Sequence, residues 1–281
     1  MSMRYLGLET WRALLEKFSD IIRTPFGYYA SSIDNDYPKL ASKIAIDMHE
    51  LWWKDIRFEA SRVAFANVDK GPQSPLKIEI AKYILEVSSH VISDSSIQEE
   101  IDLLRGVTVD GVITTNWDRF LEERIFKKEG YEVFIGQDSL IFSQPQSVAE
   151  IYKIHGCCTV PDSLVLTHED YQGFRERNAY LAAKLLTVFV EHPIIFLGYS
   201  ITDPHIRAIL DSIAQCLTPK RLDQLSDRLF FVNYDFENKG DLIEKGLVST
   251  TLPLTIIRTR DLGADTALHQ YCRLNSADSA V

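Results

Sequence analysis

Four apolar runs in the second half of the chain each end in a polar group that could hold or attack a ligand. Gly111–Thr115 leads into Asn116-Trp117-Asp118, and Ile151–Ile154 leads into His155-Gly156. Ile194–Leu197 leads into Gly198-Tyr199-Ser200, and Phe230–Val232 leads into Asn233-Tyr234-Asp235. His155 ends a strand, precedes a glycine and shares that edge with Asn116, which makes it a candidate catalytic residue. Asn116 can position a reactant through neutral hydrogen bonds, and Asp118 offers a carboxylate. Gly198, just past a strand, lets the backbone approach a ligand closely, and the N–H groups of the helix that follows can receive phosphate oxygens. Each group also has a plainer use. Asn, Asp and Ser cap helices and close turns. Asp203 followed by Pro204 reads as such an N-cap. A histidine that ends a strand can be structural. In open parallel sheets, however, ligands bind at the carboxyl ends of the strands, and four polar ends together point to one site.

The elements that must position these groups follow from periodicity. Trp11, Leu14, Leu15, Phe18 and Ile22 mark a first helix, and the stretch from Thr24 to Pro38 reads as a loop. Residues 38–105 read as all-helical, interrupted at Gly71-Pro72, with Ser96 and Glu99 forming a capping-box signature. From Gly106 onward the pattern changes. Strands are expected at 111–115, 131–135, 151–155, 164–167, 193–198, 228–234 and 254–258, with helices near 117–128, 180–191 and 204–217. Alternation of this kind predicts an α/β fold with a mostly parallel sheet flanked by helices, and an all-helical subdomain inserted in it.

Composition removes other classes. The 281 residues carry 30 Lys+Arg and 40 Asp+Glu, a net charge of −10, which argues against a direct nucleic-acid partner. Cys157, Cys158, Cys216 and Cys272 contain no C-x-x-C pair, so no zinc module is expected, and the histidines lack metal-ligand spacing. No apolar run approaches a membrane span, and no signal segment is visible, so a cytoplasmic protein is expected. No G-x-G-x-x-G follows a strand, which leaves a dehydrogenase without support. The apolar stretch with Trp52 and Trp53 is either core or a partner interface.

Thr114–Asp118, Lys153–Gly156 and Phe196–Pro204, in that order, resemble the motifs of sirtuin-like domains, above all those of bacterial antiphage defence. Phe231–Tyr234 resembles the family's later strand, which meets the adenosine half of NAD+. The resemblance implies a Rossmann-like core over about residues 1–37 and 106–273, a helical insert over about 38–105, and a single sirtuin-like domain in all. It implies NAD+ as substrate, without a metal, and cleavage of the ribose–nicotinamide bond to give nicotinamide and ADP-ribose. Asn116 and Asp118 would then lie beside the nicotinamide ribose, although Asp118 could equally cap a helix starting at Trp117. His155 would be the catalytic histidine. Thr115, Gly198, Tyr199 and Ser200 would line ribose and phosphates, and Asn233 would touch the adenosine ribose.

Two departures from the family shape the expectation. The missing four-cysteine zinc module turns the reading from peptide deacetylation to NAD+ hydrolysis. The Gly-Ala-Gly-Ser-type turn that opens the family is not found before Gly7. A late start, a trimmed chain, or a site completed by a partner would each account for this. The alternative reading is therefore a catalytically incomplete nucleotide-binding scaffold subunit. An enzyme that drains NAD+ must be silent until triggered, so a sensor protein in trans, as in Kongming-type systems, or a homo-oligomer is expected as partner.

Overall fold

The computed structural model describes residues 5–31, 33, 36–66, 71–90, 92–127, 130–143, 149–172, 178–199, 203–234, 242–248 and 252–259. They form a mixed α/β protein whose strands are mostly parallel and flanked by helices. Two compact units divide the chain. The first is built from Ser2–Ser93 and Thr108–Asn178, the second from Asp94–Val107 and Ala179 onward.

The first unit opens with α1 (Trp11–Ile22). Thr10 caps it by accepting a hydrogen bond from the Ala13 amide, and Arg23 ends it in the left-handed region. The stretch 24–38, expected as a loop, contains a short helix, α2 (Phe26–Ala30). Then α3 (Tyr37–Lys54) starts at Asp36, which accepts from the Lys39 amide at 3.2 Å. After a 3-10 turn follow α4 (Glu59–Ala64) and α5 (Ser74–Ser88). The apolar stripes of α1, α3 and α5 meet in one core containing Leu15, Phe18, Ile44, Met48, Trp52, Leu76 and Ile80. Trp52 is fully buried there and donates its indole N–H to Glu79 at 2.9 Å, while Trp53 is exposed. Trp52 thus belongs to the core and not to a partner surface.

The same unit holds a three-stranded sheet of β1 (Gly111–Thr114), β2 (Tyr131–Ile135) and β3 (Ala149–Lys153). Its order is β1-β3-β2, and both pairings are parallel, so all three carboxyl ends lie at one edge. Two expectations are corrected here. The helix foreseen over 117–128 is only a π-helical turn at Leu121–Ile125, because Asn116–Asp118 make local turns instead. Leu164–Thr167 is buried but not a strand. Its amides turn to His155 and Asp170 rather than to a ladder.

The second unit contains α6 (Ser95–Arg105) and a sheet of order β4-β5-β7-β6. The helix is capped by Asp94, which accepts from the Ser96 and Ile97 amides, so the expected Ser96–Glu99 box is not the start. β4 (Ile194–Phe196), β5 (Leu229–Tyr234) and β7 (Leu252–Thr259) run parallel, and β6 (Leu242–Val248), which the sequence pattern had not revealed, pairs antiparallel with β7. A short helix, α7 (His168–Tyr171), closes the first unit's loop after β3, and α8 (Ala179–Glu191) and α9 (Pro204–Cys216) flank the second sheet in sequence. Among the described residues no helix is long and apolar enough to cross a membrane.

Candidate active site

Register sets the geometry. Thr114 of β1 pairs directly with Lys153 of β3, and the Ile154 amide donates to the Thr114 carbonyl at 3.0 Å. Asn116 and His155 therefore leave the sheet side by side, each two residues past the same rung. Local turns then fix each loop. The Thr114 hydroxyl accepts from the Asn116 amide at 3.1 Å, and Asp118 Oδ1 accepts from the Phe120 amide at 2.9 Å. Asp118 is thus buried in an Asx turn and caps no helix at Trp117. Thr115 and Asn116 remain half-buried between these turns.

His155 is buried, only 3% exposed. Its ring stands edge-on to Tyr171, with centroids 5.7 Å apart, and its carbonyl accepts from the Val165 amide at 3.0 Å. Gly156, with φ +87°, turns the chain where a side chain cannot fit. A Cβ there would lie 2.1 Å from the Ser163 carbonyl oxygen. The loop behind His155 is anchored to the helices. Asp170 accepts from the Leu166 and Thr167 amides and binds Lys77 of α5 at 2.7 Å, a pair with side chains only 17% and 7% exposed. Ser74 donates to Asp162 at 2.7 Å, and Glu169 accepts from Ser42 of α3. The helices thus hold the histidine loop from behind.

A second buried ion pair, which the sequence reading did not single out, sits beneath the Asn116 loop. Lys153 Nζ, 1% exposed, lies 3.1 Å from Glu122 and donates to the Asp118 carbonyl. Burial pushes the Glu122 carboxyl up, against the opposing pull of the Lys153 ammonium. The adjacent Cys157 thiol is held low by a hydrogen bond from Cys158, with help from Lys153, while Cys158 is pushed up by the same bond and by burial. The signal for this cluster was a lysine inside the otherwise apolar run Ile151–Ile154, where alternation leaves no room for a solvated ammonium.

In the second unit, Phe196 of β4 pairs with Phe231 of β5. Gly198 and Asn233 thus stand two residues beyond one rung, as Asn116 and His155 do in the first. Gly198 has φ +56°, a backbone that side chains rarely adopt, and Tyr199 stacks on Phe196 at 6.2 Å. Asp203 caps α9, accepting from the His205 amide at 2.9 Å. Ser200 lies outside the described residues.

Parallel strands with polar groups at their carboxyl ends define a Rossmann-type α/β protein. Residues 110–239, just under half of the chain, match the family model of the SIR2-like domain. It is 27% identical over 172 residues to the NAD(+) hydrolase ThsA of Cytobacillus dafuensis, covering 57% of this chain and 34% of that protein. It is 29% identical over 121 residues to the ThsA of Enterococcus faecium, covering 42% and 25%. It is 25% identical over 144 residues to the defense-associated sirtuin 2 of Bacillus subtilis, covering 46% and 14%. The chain thus spans about a third or less of the length of these curated relatives.

Proposed function

We propose that the protein hydrolyses NAD+ to nicotinamide and ADP-ribose, as an effector that depletes the cell of NAD+ in antiphage defence. The observation that carries this reading is the register placing Asn116 beside His155 at the end of a parallel sheet, within the segment that matches the SIR2-like family. The names of the relatives, an NAD(+) hydrolase and a defense-associated sirtuin, support the substrate and the setting.

The chemistry follows from the substrate. The bond between ribose C1′ and the nicotinamide nitrogen breaks with its electron pair going to nitrogen, and nicotinamide leaves neutral. Positive charge develops on the ribose. Water adds to C1′ and loses one proton to His155, a role worth about 10²–10⁴ in rate. Asn116 orients that water or the departing ring. Gly198, Tyr199 and Asn233 are, by the family resemblance, the candidate contacts to ribose and phosphates, through backbone and neutral donors that suit an anionic ligand in a chain of net charge −10. The reaction stays silent until a partner protein or assembly activates it.

Nicotinamide release from NAD+ by the purified chain, alone and with candidate partners, is the test. Release that disappears in folded His155→Ala supports the reading. Tight NAD+ binding without release under every condition would replace it with the scaffold reading.

A further inference from the structure

Lys153 is the most deeply buried charged group beneath the Asn116 loop, and the fold retains it at a position an apolar side chain would fill. An ammonium taken out of water is costly unless its contacts return the loss. Here it has two. One is Glu122, 3.1 Å away, whose other oxygen, Oε2, is buried with no hydrogen-bond partner among the described residues. The other is the carbonyl oxygen of Asp118, in the loop that carries Asn116. The ammonium thus donates both to its counter-charge, Glu122, and to the loop backbone. The Cys158 amide also ties the same loop, donating to the Trp117 carbonyl at 2.8 Å. Lys153 and Cys158 flank His155 in sequence.

We propose that Lys153 is a positioning residue: its ammonium fixes the Asn116–Asp118 loop against the strand end that presents His155. This rests on reading Asn116 and His155 as the working pair for NAD+ cleavage. Lys153 itself takes no proton and touches no substrate. Its effect is on the distance between two groups that must act together, where a displacement of about 1 Å costs about 10²-fold in rate.

The experiment compares the wild-type full chain with Lys153→Met/Glu122→Gln, which removes both charges and keeps both shapes. Deuterium exchange across residues 115–120 and the kinetics of nicotinamide release are measured together. The expected result is exchange about tenfold faster at 115–120 alone, and kcat lower by about 100-fold with KM nearly unchanged. Wild-type exchange and wild-type kcat in the folded double variant overturn the proposal. If the double variant does not fold, Lys153→Arg carries the test. The charge is kept, but the rigid guanidinium fork cannot reproduce both contacts, so kcat falls about fivefold or more at constant KM, and no change overturns the proposal. A wild-type chain that releases no nicotinamide under any condition, candidate partners included, yet whose 115–120 exchange depends on Lys153 as described, refutes the hydrolase reading and supports the positioning of the loop by Lys153.

Discussion

Asn116 and His155 lie 39 positions apart in the chain, yet each stands two residues past the paired Thr114 and Lys153 of adjacent parallel strands. Parallel pairing makes that alignment informative. Both strands run the same way, so equal offsets from one rung put both side chains at the same edge. The turn bonds of Thr114 and Asp118 then hold the loop between them.

Asn116→Ala and His155→Ala should each lower nicotinamide release by about 10²-fold or more. Their melting temperatures should stay close to wild type for Asn116→Ala, which is half-buried. His155→Ala should lose a few degrees, because it empties the space beside Tyr171. Steady-state assay with thermal melting checks both. Full activity in either folded variant removes that residue from the mechanism.

Gly156→Ala should be poorly tolerated. The positive φ alone disfavours a side chain by about 1–2 kcal/mol, and the new Cβ would meet the Ser163 carbonyl at 2.1 Å. Urea unfolding should show a loss of at least about 2 kcal/mol. Gly27→Ala, where a Cβ would meet open space, is the control and should be nearly neutral.

Lys77→Met should destabilise the first unit by about 2 kcal/mol, because it removes the buried cation that the half-buried Asp170 carboxylate binds. Asp170 also accepts the Leu166 and Thr167 amides, so its loop should loosen as well. Faster deuterium exchange at 164–171 would report it. An unchanged melting temperature would mean that the ion pair contributes nothing.

Glu9 gives a pH-dependent test. Burial raises its pKa, but hydrogen bonds from Lys17 and Tyr83 outweigh burial and hold the carboxyl below the ordinary range. A folded pKa below the unfolded one means that the folded protein binds fewer protons. The stabilisation is therefore complete above the unfolded pKa and is lost as pH falls through the folded one. Glu9→Gln should lose about 1 kcal/mol at pH 7, and its gap from wild type should close as the pH is lowered through the acid range. A gap independent of pH would contradict the assignment.

The sequence by itself determined the class of fold and the polar strand ends. Apolar runs of strand length ending in Asn116, His155, Gly198 and Asn233 are local patterns, visible because burial imposes periodicity on each element separately. It also exposed the start of α9, since Asp203 and Pro204 signal a cap through short-range bonds. Only the tertiary structure decided which strands pair and in what register, and hence that Asn116 and His155 leave adjacent strands at the same edge. Register depends on contacts between residues far apart in the chain, and no single segment encodes it. The structure likewise kept only a π-helical turn at Leu121–Ile125 of the helix expected near 117–128, because the Thr114 and Asp118 side chains take the Asn116 and Phe120 amides ahead of it. It denied 164–167 a ladder because His155 and Asp170 take its amides. Lys153 shows the difference most plainly. In the sequence it is an odd charge in an apolar run, and only packing against Glu122 and the Asp118 carbonyl gives that charge a place.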